Sequence, residues 1–179
     1  ATLRQARGTS YPDPVLAALG FSVQTGEARN KGVELDVAGE VLPGLDVIAT
    51  YAYTDSEITQ MNDGTIGNRF PNVPKHAGSL WTTYRFQEPR LQGRKVGAGL
   101  VARGERQGNR ENDYQMPGYV LVNLMASYTM HVGATRLTAQ VNVDNLLGQE
   151  YFPSSAGFGR GRIDIGTPRF FLGSLKMEF

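Results

Sequence analysis

The residues able to do chemistry in this chain are few and scattered. Glu34 and Asp36 stand two apart in "GVELDVAGEV". On an extended strand that spacing sends both carboxylates to one face, and paired carboxylates can shuttle protons. No histidine or nucleophile lies near them in the sequence, so the pair lacks a partner for acid–base catalysis. The two histidines, His76 and His131, fall at opposite strand ends. A metal centre needs at least three convergent ligands, and nothing local completes one. The chain has no cysteine, which removes disulfides and thiolate metal sites. "GAGLVARG" (97–104) and "GFGRGR" (157–162) look like nucleotide-binding glycine loops. Neither follows a strand and opens a helix, so both are rejected. The reading is a non-enzyme with no resident cofactor. With 18 basic and 17 acidic residues, there is also no electrostatic case for nucleic acid.

What remains is a set of arginines, aromatics and amides in polar, glycine-rich segments, and strands must position them. Alternation dominates the 179 residues. In "TRLTAQVNVD", Leu137, Ala139, Val141 and Val143 alternate with Arg136, Thr138, Gln140, Asn142 and Asp144. "YVLVNLMASYTMH", "KVGAGLVARGE" and "LDVIATYAY" repeat the pattern, with Ile48 an exception in the last. Period two is the strand signature. Eight strands are expected, over 1–8, 20–41, 45–58, 76–88, 95–109, 119–131, 135–149 and 169–179. Short connections (42–44, 89–94, 132–134) alternate with long ones (9–19, 59–75, 110–118, 150–168). That rhythm describes an all-β, antiparallel up-and-down meander with its long loops at one end. Segment 13–19 has the composition for one helical turn, and no domain boundary divides 1–179.

One face of these strands carries small and medium apolar residues, with Tyr51, Tyr53, Tyr84, Phe86, Tyr128, Phe171 and Phe179 near the strand ends. The other is dominated by Asn, Gln, Thr, Ser, Gly, Asp and Arg rather than by lysine and glutamate. An apolar band flanked by aromatics fits the wall of a transmembrane β-barrel, where every backbone polar group must pair within the sheet. No segment approaches the roughly 18–20 apolar residues of a membrane helix. A soluble lipocalin-like carrier and a self-contained eight-stranded barrel with a structural or adhesive role remain alternatives.

Four stretches resemble the TonB-dependent outer-membrane ferric-siderophore receptor family. They are "GEARNKGVELDVAGEVLPGLDVIATYAYTDSEIT" (26–59), "NVPKHAGSLWTTYRF" (72–86), "VNVDNLLGQEYF" (141–152) and "GTPRFFLGSLKMEF" (166–179). In the third, Leu147 stands where phenylalanine is usual, and Gly148-Gln149 replaces Asp-Lys. The resemblance implies a 22-stranded barrel around an N-terminal plug, integral to the bacterial outer membrane. About eight of those strands would lie in this chain, as the C-terminal portion without plug or TonB box. The start "ATLRQARG" has neither an initiator methionine nor a signal peptide, which suggests a cleaved precursor or a piece of something longer.

Further expectations follow from the family. Partners would be a ferric siderophore, outer-membrane lipid, the TonB complex through an N-terminal region, and the barrel-assembly machinery. Iron would enter only as ferric-siderophore cargo; haem, vitamin B12 or a glycan are other possible cargoes. The closing strand would present Phe171, Leu175, Met177 and Phe179 as the assembly signal. Ligand contacts would come from the long loops: Tyr11; Arg69 and Phe70; Arg110, Tyr114 and Gln115; and Tyr151, Phe152, Phe158, Arg160 and Arg162. Each is otherwise an ordinary loop residue or girdle aromatic. Arg103, Glu105 and Arg106 read as a charge ladder across neighbouring strands or as contacts to the plug.

Overall fold

The computed structural model describes residues 4–7, 10–12, 22–24, 26–61, 63–157 and 160–179, with side chains from residue 26 onward. An eight-stranded antiparallel sheet runs through them. Its strands are β1 (Arg4–Arg7), β4 (Glu27–Leu42), β5 (Leu45–Gln60), β6 (His76–Arg85), β7 (Arg94–Arg103), β10 (Tyr119–Val132), β11 (Thr135–Asp144) and β12 (Phe170–Glu178), side by side in chain order. Two small hairpins stand apart: β2 (Ser10–Pro12) with β3 (Ser22–Gln24), and β8 (Arg106–Gln107) with β9 (Gln115–Met116). The eight-strand meander is as expected. The expected strand 20–41 divides into β3, outside the main sheet, and β4. Segment 13–19 lies outside the described residues.

Strand ends follow local chemistry. Pro43-Gly44 joins β4 to β5 with Gly44 at φ 81°, the proline-then-glycine order of a type II turn. A single 3₁₀ turn, Pro89–Leu91, ends the expected extension of β6 to residue 88. At the other end of the sheet β7 stops at Arg103 and β11 at Asp144, short of the expected 109 and 149. Asn145 has φ 51°, which no strand residue adopts.

Register assigns the two faces. Val37, Ala49, Leu80, Leu100 and Val122 form one row across β4, β5, β6, β7 and β10. Asp36, Thr50, Ser79 and Val101 form a row of the opposite face. Thr50 and Ser79 hydroxyls meet there at 2.7 Å. Glu34 and Asp36 therefore share the polar face, as the spacing predicted. Leu35, Val37, Val120, Val141, Leu175 and Met177 of the apolar face are all exposed. The sheet is a single layer: nothing among the described residues covers its apolar side. A soluble protein hides such a face, whereas a membrane wall turns it to lipid.

Several apolar side chains sit on the polar face, among them Val101, Met125, Ile48 and Trp81. Ile48 pairs with Trp81, and Trp81 with Gly99. The indole lies flat across β7 because Gly97 and Gly99 present no side chain; any Cβ on Gly99 would overlap the ring. This accounts for Ile48 breaking the alternation. Most buried apolar side chains among the described residues, Met125 of β10 apart, gather near the long-loop end: Ala28, Ile58, Met61 and Met116. There the 16-residue β4 and β5 outrun their 10-residue neighbours β6 and β7. At ~3.3 Å per residue the β4–β5 hairpin is about 50 Å long, against a hydrocarbon core of roughly 30 Å.

Candidate ligand-binding loops

Three loops leave that end of the sheet: 61–75, 104–118 and 145–169. Asparagines tie them together. Asn112 (φ 56°) accepts the Arg69 N–H at 2.9 Å and donates to the Arg69 carbonyl at 2.9 Å. Its amide imitates a strand partner for the first loop. Asn72 (φ 63°) treats the third loop likewise: Nδ2 donates to Ser155 O at 3.0 Å, and Ser155 N–H donates to Oδ1 at 2.8 Å. The Asn72 N–H donates to Gln107 O at 2.8 Å, Asn68 Nδ2 to Arg110 O at 2.8 Å, and the Ser155 hydroxyl to Gly108 O. A parallel bridge joins Asn109 to Gly157. Asparagine suits both tasks, because it tolerates the left-handed region and its amide matches a peptide.

Two further knots hold the loop bases. Asn145 closes β11: its N–H donates to Asn123 Oδ1 at 2.9 Å, its Nδ2 donates to the carbonyls of Gln149 and Thr167, and its Oδ1 accepts the Gln149 N–H. Arg106, only 3% exposed, lies 5.3 Å over the Tyr119 ring and donates to the carbonyls of Pro117 and Phe152. Burial lowers its pKa below the usual guanidinium range, with the Tyr119 phenol opposing that shift. The expected charge ladder is not formed: among the described residues Arg103, Glu105 and Arg106 join no ion pair. Arg106 turns into the loop base because an aromatic face and two carbonyls satisfy it there.

The expected ligand residues separate into an outer group and a buttressing group. Arg160 lies 5.7 Å over the Tyr114 ring and meets Asp113 Oδ2 at 3.3 Å, with its side chain 67% exposed. Tyr114 donates to Gly108 O at 3.0 Å, which fixes the ring beneath the guanidinium. Exposed Gln115 follows in β9. Arg162, 76% exposed, meets Asp164 Oδ1 at 3.1 Å. Asp164 also accepts from the Ser154 hydroxyl at 2.5 Å. These bonds, Ser154 first and then Arg162, hold the Asp164 carboxyl below its usual pKa. Ser155, Ala156, Gly161, Arg162 and Asp164 line a depression of ≈560 Å³.

The buttressing group makes contacts within the protein. Arg69 donates to Val73 O at 3.3 Å, and its Nε is buried without a partner. Phe70 and Arg110 are half-buried. Tyr151 stacks on Tyr119 at 4.6 Å and covers Gly166. Phe152 is 37% exposed, and its carbonyl receives Arg106. Phe158 and the Tyr11 side chain lie outside the described residues; the Tyr11 backbone belongs to β2. His76 opens β6, with Nδ1 2.8 Å from the Tyr51 hydroxyl on the apolar face, while His131 is next to last in β10. Among the described residues no group of three or more His, Asp or Glu is placed to hold a metal. The outer group is suited to recognition rather than bond-making. It offers two accessible guanidinium groups, an aromatic face and an amide, a combination that grips planar, anionic, oxygen-rich molecules.

The TonB-dependent receptor-like β-barrel family model matches residues 4–146. The metal-pseudopaline receptor of Pseudomonas aeruginosa is 35% identical over 161 residues, spanning 89% of this chain and 22% of that protein. The ferrichrome outer membrane transporter/phage receptor of Escherichia coli is 35% identical over 136 residues, 75% of this chain and 18% of that protein. Among solved structures, the ferric preacinetobactin receptor of Acinetobacter baumannii aligns with a TM-score of 0.82 at 25% identity, covering 99% of this chain and 26% of that one. The siderophore receptor PiuA of the same species gives 0.76 at 29%, covering 98% and 25%. The chain thus spans about a fifth of the length of the curated relatives it matches. It is a stretch of integral outer-membrane β-barrel and belongs to the TonB-dependent receptor family.

Proposed function

We propose that this chain is the C-terminal barrel portion of an outer-membrane receptor that imports ferric siderophores with energy delivered through TonB. The full barrel would have 22 strands around an N-terminal plug, and this portion alone would transport nothing. The observation that carries the reading is the braced loop cluster, which holds the Arg160 guanidinium over the Tyr114 ring and leaves the Arg162 side chain exposed beside Asp164. Many ferric siderophores are anionic and aromatic, and the two cations and the ring complement both properties. Iron travels as cargo, so the receptor needs no resident metal or cofactor and no catalytic group.

The test uses the full-length receptor. Arg160→Ala, Arg162→Ala and Tyr114→Ala are expected to weaken ferric-siderophore binding, by fivefold or more for the arginines, with barrel folding unchanged. Unchanged affinity in all three variants would remove these residues from the site. Failure of every ferric siderophore to bind would leave haem, vitamin B12 or a glycan as cargo. The alternative of a closed eight-stranded barrel needs β1 to pair with β12. Among the described residues those two strands are the ends of the sheet and do not pair, which favours membership of a larger barrel.

Assembly belongs to the same proposal. Phe171, Leu175 and Met177 share the apolar face of β12, and Phe179 is 99% exposed. As the recognition pattern of the barrel-assembly machinery, they predict that deleting Phe179 lowers the amount of full-length receptor folded in the outer membrane. Wild-type levels after deletion would give that residue another job.

A further inference from the structure

At the short-turn end the apolar wall is not smooth. Val96, Ala126, Val141 and Gly173 make one row across β7, β10, β11 and β12, and Arg94, Tyr128, Ala139 and Leu175 make the next. Ala126, Ala139 and Gly173 are the small members. A Cβ added to Gly173 would meet nothing within 4 Å. The result is a groove of ≈660 Å³ floored by those three residues and walled by Phe86, Tyr128 and Val141. That volume falls within the roughly 300–1,000 Å³ of ordinary ligand clefts.

One end of the groove is cationic. Arg94 lines it, with its guanidinium 6.0 Å from the centre of the Tyr128 ring. Among the described residues Arg94 joins no ion pair, unlike Arg85 and Arg136 at the same end of the sheet. Leu91 of the 3₁₀ turn closes that end, and Arg90 is its neighbour. Glu88 is the acidic residue of this turn, so the segment 88–94 keeps a net positive charge. Tyrosine and arginine at the end of a membrane strand belong at headgroup depth, and a guanidinium is well matched to phosphate.

We propose that this groove is a binding site for one phospholipid with an anionic headgroup. An acyl chain would lie over Ala126, Ala139 and Gly173, and the headgroup phosphate would sit on Arg94. The occupant follows from position: the groove is continuous with the lipid-facing wall, and its charged end lies where that wall meets water. The site is independent of the cargo proposed above.

Native mass spectrometry of the full-length receptor tests it, with phosphatidylglycerol and phosphatidylcholine offered in matched detergent micelles. Wild-type receptor is expected to retain one phosphatidylglycerol in preference to phosphatidylcholine. Arg94→Gln should reduce phosphatidylglycerol retention at least threefold and phosphatidylcholine retention much less, because both lipids carry the phosphate but the choline cation of phosphatidylcholine already weakens its contact with an arginine. Gly173→Leu, which fills the floor, should reduce both lipids. Val33→Phe, elsewhere on the apolar face, should match wild type, and heat-modifiable gel mobility establishes that each variant is folded. Equal retention of the two lipids by wild type, or retention unaffected by both groove variants, would overturn the proposal. Loss in Gly173→Leu alone would leave a bare hydrocarbon contact and refute the headgroup assignment.

Discussion

Asparagine does at single positions what a strand ladder does along a segment. Asn72, Asn112 and Asn145 all have positive φ, and each satisfies backbone groups of another stretch of chain. Asn145→Ala loses the side-chain bonds and puts alanine, which tolerates the left-handed region less well than asparagine, at φ 51°. Together these should cost roughly 2–4 kcal/mol, read as a lower unfolding temperature of the full-length receptor. Asn145→Gly, which keeps the backbone freedom, should recover part of the loss. Asp164 makes a pH-dependent contribution. Its folded-state pKa is depressed, so the stabilisation from Ser154 and Arg162 is present above the unfolded value near 3.8. It is lost as pH falls through the lower folded value. Protection factors at residues 154–157 and 160–164, corrected for the intrinsic pH dependence of exchange, should therefore stay flat from pH 7 to 5 and fall only below 3.8; Asp164→Asn should remove the step.

At the level of elements, β6 and β7 depend on each other through one ring and two glycines. Gly99→Ala should displace the Trp81 indole and lower folding yield, and Trp81→Ala should largely suppress that defect, a non-additivity expected of touching residues. If Gly99→Ala behaves the same with and without Trp81, the steric account is wrong. The loops also act together. Asn72→Ala should raise hydrogen exchange in 68–73 and 154–157 together, because its side-chain amide braces Ser155 of the third loop; a rise confined to 68–73 would mean that the loops move separately. Strands were legible in the sequence because period two reports the difference between lipid and water, which holds along the whole wall. Loop architecture was not, because it rests on amide-to-backbone bonds between positions 43 and 83 residues apart. Nothing local reported that the Tyr151 ring packs against Tyr119 or that the Phe152 carbonyl receives Arg106.

On the scale of the whole molecule, a sheet one layer thick has no interior of the usual kind. Leu35, Val37 and Leu175 touch solvent on the apolar side, and in the membrane that solvent is liquid hydrocarbon. Truncating Leu35 or Val37 to Ala in the full-length receptor should then cost only the transfer of the missing methyl groups. A core Leu→Ala typically costs about 2–5 kcal/mol because a void remains, whereas fluid acyl chains refill the space here. The measured loss should be near 1 kcal/mol or less, and a core-like value would show that another protein surface covers these strands. The same property sets how this wall can diverge. Its outward positions constrain hydrophobicity and hardly constrain shape, so sequences should drift freely there among aliphatic residues. The asparagine knots and the Trp81 glycine slot, where a single atom matters, should resist change.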